Sequence, residues 1–134
     1  MKNKKYGKEK LMNENINNIL TEMARVGHFC DNKYEIYIRT DDSGNLPHMH
    51  IWDSDTRGEK FHTCVRLDKA EYFHHTGKED VLNNKMKKDL MKFLNTFNNK
   101  WNMTNWQRLL MEWNDNNSNI ILPEDYEMPD YINI

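Results

Sequence analysis

"LPHMHIWD", residues Leu46 to Asp53, decides the fold. His48, His50 and Trp52 alternate with Met49 and Ile51, the period of a β-strand, so the imidazoles and indole share one face and the apolar pair takes the other. Pro47 stands at the mouth of this strand, where its missing N–H does least harm. On its N-terminal side "YEIYIRT", Tyr34 to Thr40, alternates in the same way and runs into loop chemistry at "DDSGN". On its C-terminal side "FHTCVRL", Phe61 to Leu67, reads as a third strand. If Thr56 and Arg57 form a turn with Gly58 in the left-handed position, counting outward sets Trp52 opposite His62, His50 opposite Cys64 and His48 opposite Arg66. The same parity follows from placing Met49 and Ile51 on the core face with Phe61, Thr63, Val65 and Leu67.

Helical spacing flanks the strands. Met12, Ile16, Ile19, Leu20, Met23 and Val26 predict a first helix ending near Val26, with Gly27 as its C-terminal cap. "TGKE", Thr76 to Glu79, has the form of a capping box ahead of an apolar stripe, Leu82, Met86, Leu90, Phe93, Leu94 and Phe97. A second box, Thr104 to Gln107, opens a short helix that should stop in the asparagine cluster after Trp113. Lys69 to His75 is compatible with either a short strand or a turn of helix. The expected fold class is therefore α+β, a three-stranded antiparallel β-meander with about three α-helices packed mainly on one face.

The chain has 134 residues, enough for one core. Its expected organisation is a flexible basic arm over 1–9, a single α+β domain over 10–117 and an acidic extended tail over 118–134. That tail is strapped down through Ile120, Ile121, Tyr126 and Tyr131. An aromatic content of 11%, with four tryptophans, argues against global disorder. A net charge of −2 does not announce a nucleic-acid binder. Lys85, Lys88 and Lys92 nevertheless line one side of the long helix, which with the arm implies at most weak, non-specific nucleic-acid contact. The two cysteines, Cys30 and Cys64, lack C-x-x-C spacing, and neither a secretory signal nor a segment of membrane-spanning length is visible. A reducing cytoplasm is the expected compartment, with no membrane association.

With helices on the Met49 and Ile51 face, the opposite face displays Glu35, Tyr37 and Arg39, then His48, His50 and Trp52, then His62, Cys64 and Arg66. Histidine, arginine, tyrosine and tryptophan together are residue types that make recognition surfaces, and Tyr37, Arg39, His48, His50, Trp52, His62 and Arg66 are the candidate partner-binding set. On that reading, truncating Trp52 or Arg66 spares folding and weakens a partner complex. The same face also fits an ordinary solvated sheet. A metal reading pairs His48 and His50 as H-x-H and needs His62 or Cys64 as a third ligand. The pattern guarantees neither, and Arg66 would bring positive charge beside a cation, so no metal and no cofactor is expected. A catalytic reading compares "HMHIW" with the histidine-triad hydrolases, but Trp52 stands where a third histidine would be. General acid or base work by His48 or His50 remains chemically open.

Pro47, His48 and His50, together with Trp113 and Asn114, carry a resemblance. The chain resembles the small bacterial and phage proteins grouped as domain of unknown function 4160, marked by a P-H-x-H strand and a helix ending in W-N. The similarity spans about Tyr34 to Asn117. It implies a protein-interaction role, since such proteins are often encoded beside toxin-antitoxin-like or mobile genes. The expected function is a small non-enzymatic binding protein acting by stoichiometric protein contact in a mobile-element or host-defence setting. The alternatives are a histidine-dependent hydrolase or nuclease acting on a phosphate ester, and a nucleic-acid-binding accessory protein.

Overall fold

The computed structural model describes residues 23–40, 46–74, 80–117 and 120–134. Four strands form one antiparallel sheet in chain order: β1 (Met23–Phe29), β2 (Tyr34–Arg39), β3 (His48–Asp53) and β4 (His62–Arg66). Two helices follow, α1 (Asn84–Asn95) and α2 (Asn105–Asn116), joined by a small hairpin of β5 (Phe97–Asn98) and β6 (Met103–Thr104). The fold is thus α+β with an antiparallel sheet, but with one strand more than the sequence suggests and, among the described residues, two α-helices.

The extra strand is β1, where helical spacing predicted the end of a helix. Its burial has a period of three, with Met23, Val26 and Phe29 buried, because a bulge between Arg25 and Gly27 inserts Val26 as an extra residue. Val26 and Phe29 therefore join the main core, while Met23 packs with Tyr37 and Trp52 on the other side. Three-residue burial imitates a helix stripe. The β1–β2 turn is made by Asp31 and Asn32, at φ +55° and +67°, residue types that tolerate the left-handed region. Gly27 is not a helix cap; a Cβ there would lie 2.4 Å from the ring of Phe93, so the glycine lets α1 approach the sheet. The part of the predicted first helix before Met23 lies outside the described residues, as do the basic arm, the box at Thr76 to Glu79 and His75.

The register of β3 with β4 is as the sequence reading had it: Trp52↔His62, His50↔Cys64 and His48↔Arg66. The connecting loop is organised differently from a simple bulged turn. Asp53 Oδ2 accepts hydrogen bonds from the Thr56 N–H and hydroxyl, and Oδ1 accepts from the N–H groups of Gly58 and Phe61. Gly58 does take positive φ. Lys69 to His74 resolves toward strand: Tyr72 bridges to Val65, and the Phe73 N–H donates to the Cys64 carbonyl.

Helix α1 begins later than the apolar stripe implied. Asn83 caps it, its side chain accepting from the Met86 N–H, so Leu82 is buried ahead of the helix and Phe97 is exposed beyond it. Helix α2 carries the expected capping box of Thr104 and Gln107 and ends in the asparagine cluster. Helix α1 buries Met86, Leu90 and Leu94, and α2 buries Trp106, Leu109, Leu110 and Trp113, in one core with Ile36, Ile38, Met49, Ile51, Val65 and Leu67. The C-terminal stretch lies across this layer. Tyr131 is fully buried and its hydroxyl donates to the Arg66 carbonyl, Tyr126 donates to the Asp68 carbonyl, and Trp113 Nε1 donates to the Ile120 carbonyl. Ile121, by contrast, is 60% exposed. Among the described residues no helix is long and apolar enough to cross a membrane.

Candidate functional site: a buried imidazole and thiol cluster

Strand β3 is buried along its whole length on both faces. His48 is 0% exposed, His50 1%, Tyr37 1%, Cys64 1% and Trp52 8%. The expectation of an open contact surface is corrected here: the histidine face is interior. Its polar groups are burial-tolerant because they satisfy one another, which solvent would otherwise have to do.

The antiparallel ladder brings the groups together. His48 and His50 project from alternate residues of β3, Cys64 lies opposite His50 on β4, and Tyr37 lies opposite His50 on β2. His50 Nδ1 is 3.0 Å from His62 Nε2 and 3.3 Å from the Cys64 sulfur. The Tyr37 hydroxyl is 3.3 Å from the same His62 nitrogen, and its ring stacks on His50 at 4.8 Å. His48 Nδ1 donates to the Leu46 carbonyl at 2.6 Å, which fixes that ring's orientation. Phe73 and Trp113 pack against His48 with ring centroids at 4.8 and 5.4 Å. On the far side Trp52 packs against Tyr37 at 4.5 Å and donates its indole N–H to Glu35 at 3.1 Å. Glu35, itself buried, is held by Arg25 at 3.3 Å.

Of the seven residues singled out from sequence, Tyr37, His48, His50, Trp52 and His62 meet in this cluster. Arg66 does not. Its guanidinium turns away to a bidentate pair with Asp68, at 2.9 and 2.7 Å, and to Glu71 at 3.5 Å, and the Asp68 hydrogen bonds hold it firmly protonated. Arg39 sits half-buried at the end of β2, in register with Met23. Glu35 and Cys64, which the sequence sets on the same face but outside the partner-binding set, are members too, and Phe73 and Trp113 are members that the sequence reading passed over. The register count had already set Cys64 opposite His50, so that member was legible; Phe73 was hidden in the ambiguous Lys69 to His75 segment. The second cysteine, Cys30, is remote in chemistry: burial, and then a hydrogen bond and the charge of Asp89, push its thiol up to about 11. The lysine row is partly neutralised, Lys85 pairing with Asp89 at 3.3 Å, while Lys88 and Lys92 are exposed.

No protein-family model, curated protein or solved structure matches this chain. The chemistry of the cluster is accordingly read from its own geometry: two buried imidazoles and a buried thiol converge among aromatic rings, with a third imidazole and a phenol beside them.

Proposed function

We propose that this protein is a non-catalytic binding protein that acts by stoichiometric contact with another protein, the role that its resemblance to the P-H-x-H family also implies. The observation that carries the reading is the burial of His48 and His50. An imidazole that turns over a phosphate ester has to reach the substrate, and catalytic groups accordingly line clefts. Here a cleft of about 360 Å³ is lined by residues such as Met103, Leu110, Met111, Asn114 and Glu124, with no histidine or cysteine among its walls.

The contact surface therefore moves from the sheet to the hairpin and α2. Trp101 is exposed at the hairpin tip with the Arg108 guanidinium 4.0 Å over its ring, and Phe97 is 52% exposed on the same hairpin. Tryptophan and arginine at such positions are the side chains that dominate interface energies, and Met103 and Met111 in the adjoining cleft repack readily around a partner. A partner presenting apolar side chains beside a cation complements this cleft, which carries Asp115 and Glu124.

Two measurements on the same preparations test the reading. The wild-type protein should show no turnover of bis(p-nitrophenyl) phosphate or RNA, and it should retain a partner from host lysate at a fixed one-to-one ratio. Trp101→Ala should weaken that retention by about tenfold or more while unfolding at the wild-type temperature. Phosphate-ester hydrolysis that disappears in a folded His50→Gln variant would overturn the proposal, as would retention unaffected by Trp101→Ala.

A further inference from the structure

We propose that His48, His50 and Cys64 form a binding site for one zinc(II) ion. One donor atom from each of the three residues lies within 4.8 Å of the others, and all three residues are buried. The sequence alone offered an H-x-H pair without a guaranteed third donor. Antiparallel pairing supplies it, because Cys64 is the direct cross-strand partner of His50.

Three further observations fit a metal site. The first is tautomer control. His48 commits Nδ1 to the Leu46 carbonyl at 2.6 Å, so the lone pair is on Nε2. His50 Nδ1 lies 3.0 Å from His62 Nε2, and in the tautomer in which Nδ1 donates there the lone pair of His50 falls on Nε2, which is 4.0 Å from the Cys64 sulfur. An outer partner that takes the second ring N–H is the usual companion of a metal-bound histidine. The second is charge. Arg66, directly across from His48, spends its charge on Asp68 and Glu71 and so does not oppose a cation. The third is shape. Tetrahedral zinc with Zn–S of about 2.3 Å and Zn–N of about 2.0 Å needs donor separations of roughly 3.3 to 3.6 Å. Donor atoms that lie within 4.8 Å of one another reach that when each pair closes by up to about 1.5 Å.

Donor chemistry selects the metal. Two imidazoles and a thiolate form a borderline-soft set that suits zinc and gives calcium or magnesium nothing they prefer. Binding breaks the Cys64 S–H bond, the sulfur electron pair forms the Zn–S bond, and the proton passes to solvent; nothing is oxidised or reduced. Three protein ligands leave one coordination position to a further donor. The ion would tie the centre of β3 to β4, and its binding to the folded chain alone would raise stability.

Cobalt(II) is the probe, because thiolate ligation gives it a near-ultraviolet charge-transfer band. Full-length protein stripped with a chelator and titrated with cobalt should take up one ion per chain, develop that band, lose it on addition of zinc, and unfold several degrees higher with zinc bound. Cys30→Ser should keep the band. Cys64→Ser should lose it, and His48→Ala should weaken uptake by about 10- to 100-fold or more. Absence of the band in folded wild-type protein at micromolar metal overturns the site, and so does a band that survives Cys64→Ser. These outcomes are independent of whether Trp101 binds a partner.

Discussion

Trp52→Ala is expected to destabilise the fold by about 3 to 5 kcal/mol, the cost of truncating a large buried aromatic. The indole is 8% exposed, packs on Tyr37 at 4.5 Å and on His62 at 5.7 Å, and lies against Gly58 of the β3–β4 loop. Its removal also leaves buried Glu35 without the indole N–H that it accepts at 3.1 Å. Trp52→Phe separates the two contributions: the ring volume is largely kept while the hydrogen bond goes, at a cost of about 1 to 3 kcal/mol. The check is chemical denaturation of both variants, read as a lowered midpoint at an unchanged slope. A Trp52→Ala variant within about 0.5 kcal/mol of wild type, the range of ordinary surface changes, would return this face to solvent.

The second large effect belongs to Asp53 and has a pH signature. Burial pushes its carboxyl up, but the hydrogen bonds from Thr56, Phe61 and Gly58 outweigh that and bring it from 3.8 down to about 2. A carboxyl with a lower pKa in the folded state stabilises most when ionised. That contribution is fully present above the unfolded value and is lost as pH falls through the folded one. At 1.36 kcal/mol per unit, the difference is worth about 2 kcal/mol, disappearing between about pH 5 and pH 2. Asp53→Asn keeps one acceptor oxygen and sets an NH₂ group against N–H donors. It should cost about 2 kcal/mol at neutral pH and flatten the acid limb of stability. Parallel pH series of unfolding free energy for the two proteins provide the check. An acid limb of equal depth in both would mean that the Asp53 loop contributes nothing.

Register was the legible part of the sheet. His48, His50 and Trp52 had to share a face, and the count through the loop to His62, Cys64 and Arg66 was right because one-residue slips would have turned Met49 and Ile51 out of the core. What alternation does not carry is whether the polar face is wet. Histidine and tyrosine occur both inside and outside, so hydropathy does not place this face; here His50 and His62, His50 and Cys64, and Tyr37 and His62 lie within hydrogen-bond reach, and His48, His50, Tyr37 and Cys64 are buried. Pairing of that kind is a property of three strands at once. Strand β1 was illegible for a local reason, since the bulge at Val26 gave Met23, Val26 and Phe29 a spacing of three that imitates a helix. The hairpin with Trp101 has two-residue strands, too short for a period to show. The site reading inherited both limits: five of the seven residues meet in one cluster, but Tyr37, His48, His50 and Trp52 are buried where an exposed surface was expected, and His62 is half-buried.

The closed histidine face is the claim from which both the functional reading and the zinc site proceed, and imidazole accessibility tests it most directly. Native protein treated briefly with diethyl pyrocarbonate at neutral pH and analysed by peptide mass spectrometry should be modified at the exposed rings His28 and His74. His48 and His50, at 0% and 1% exposure, should be protected until the protein is unfolded in urea. Modification of His48 and His50 in the native protein at the rate of His28 and His74 would contradict the account.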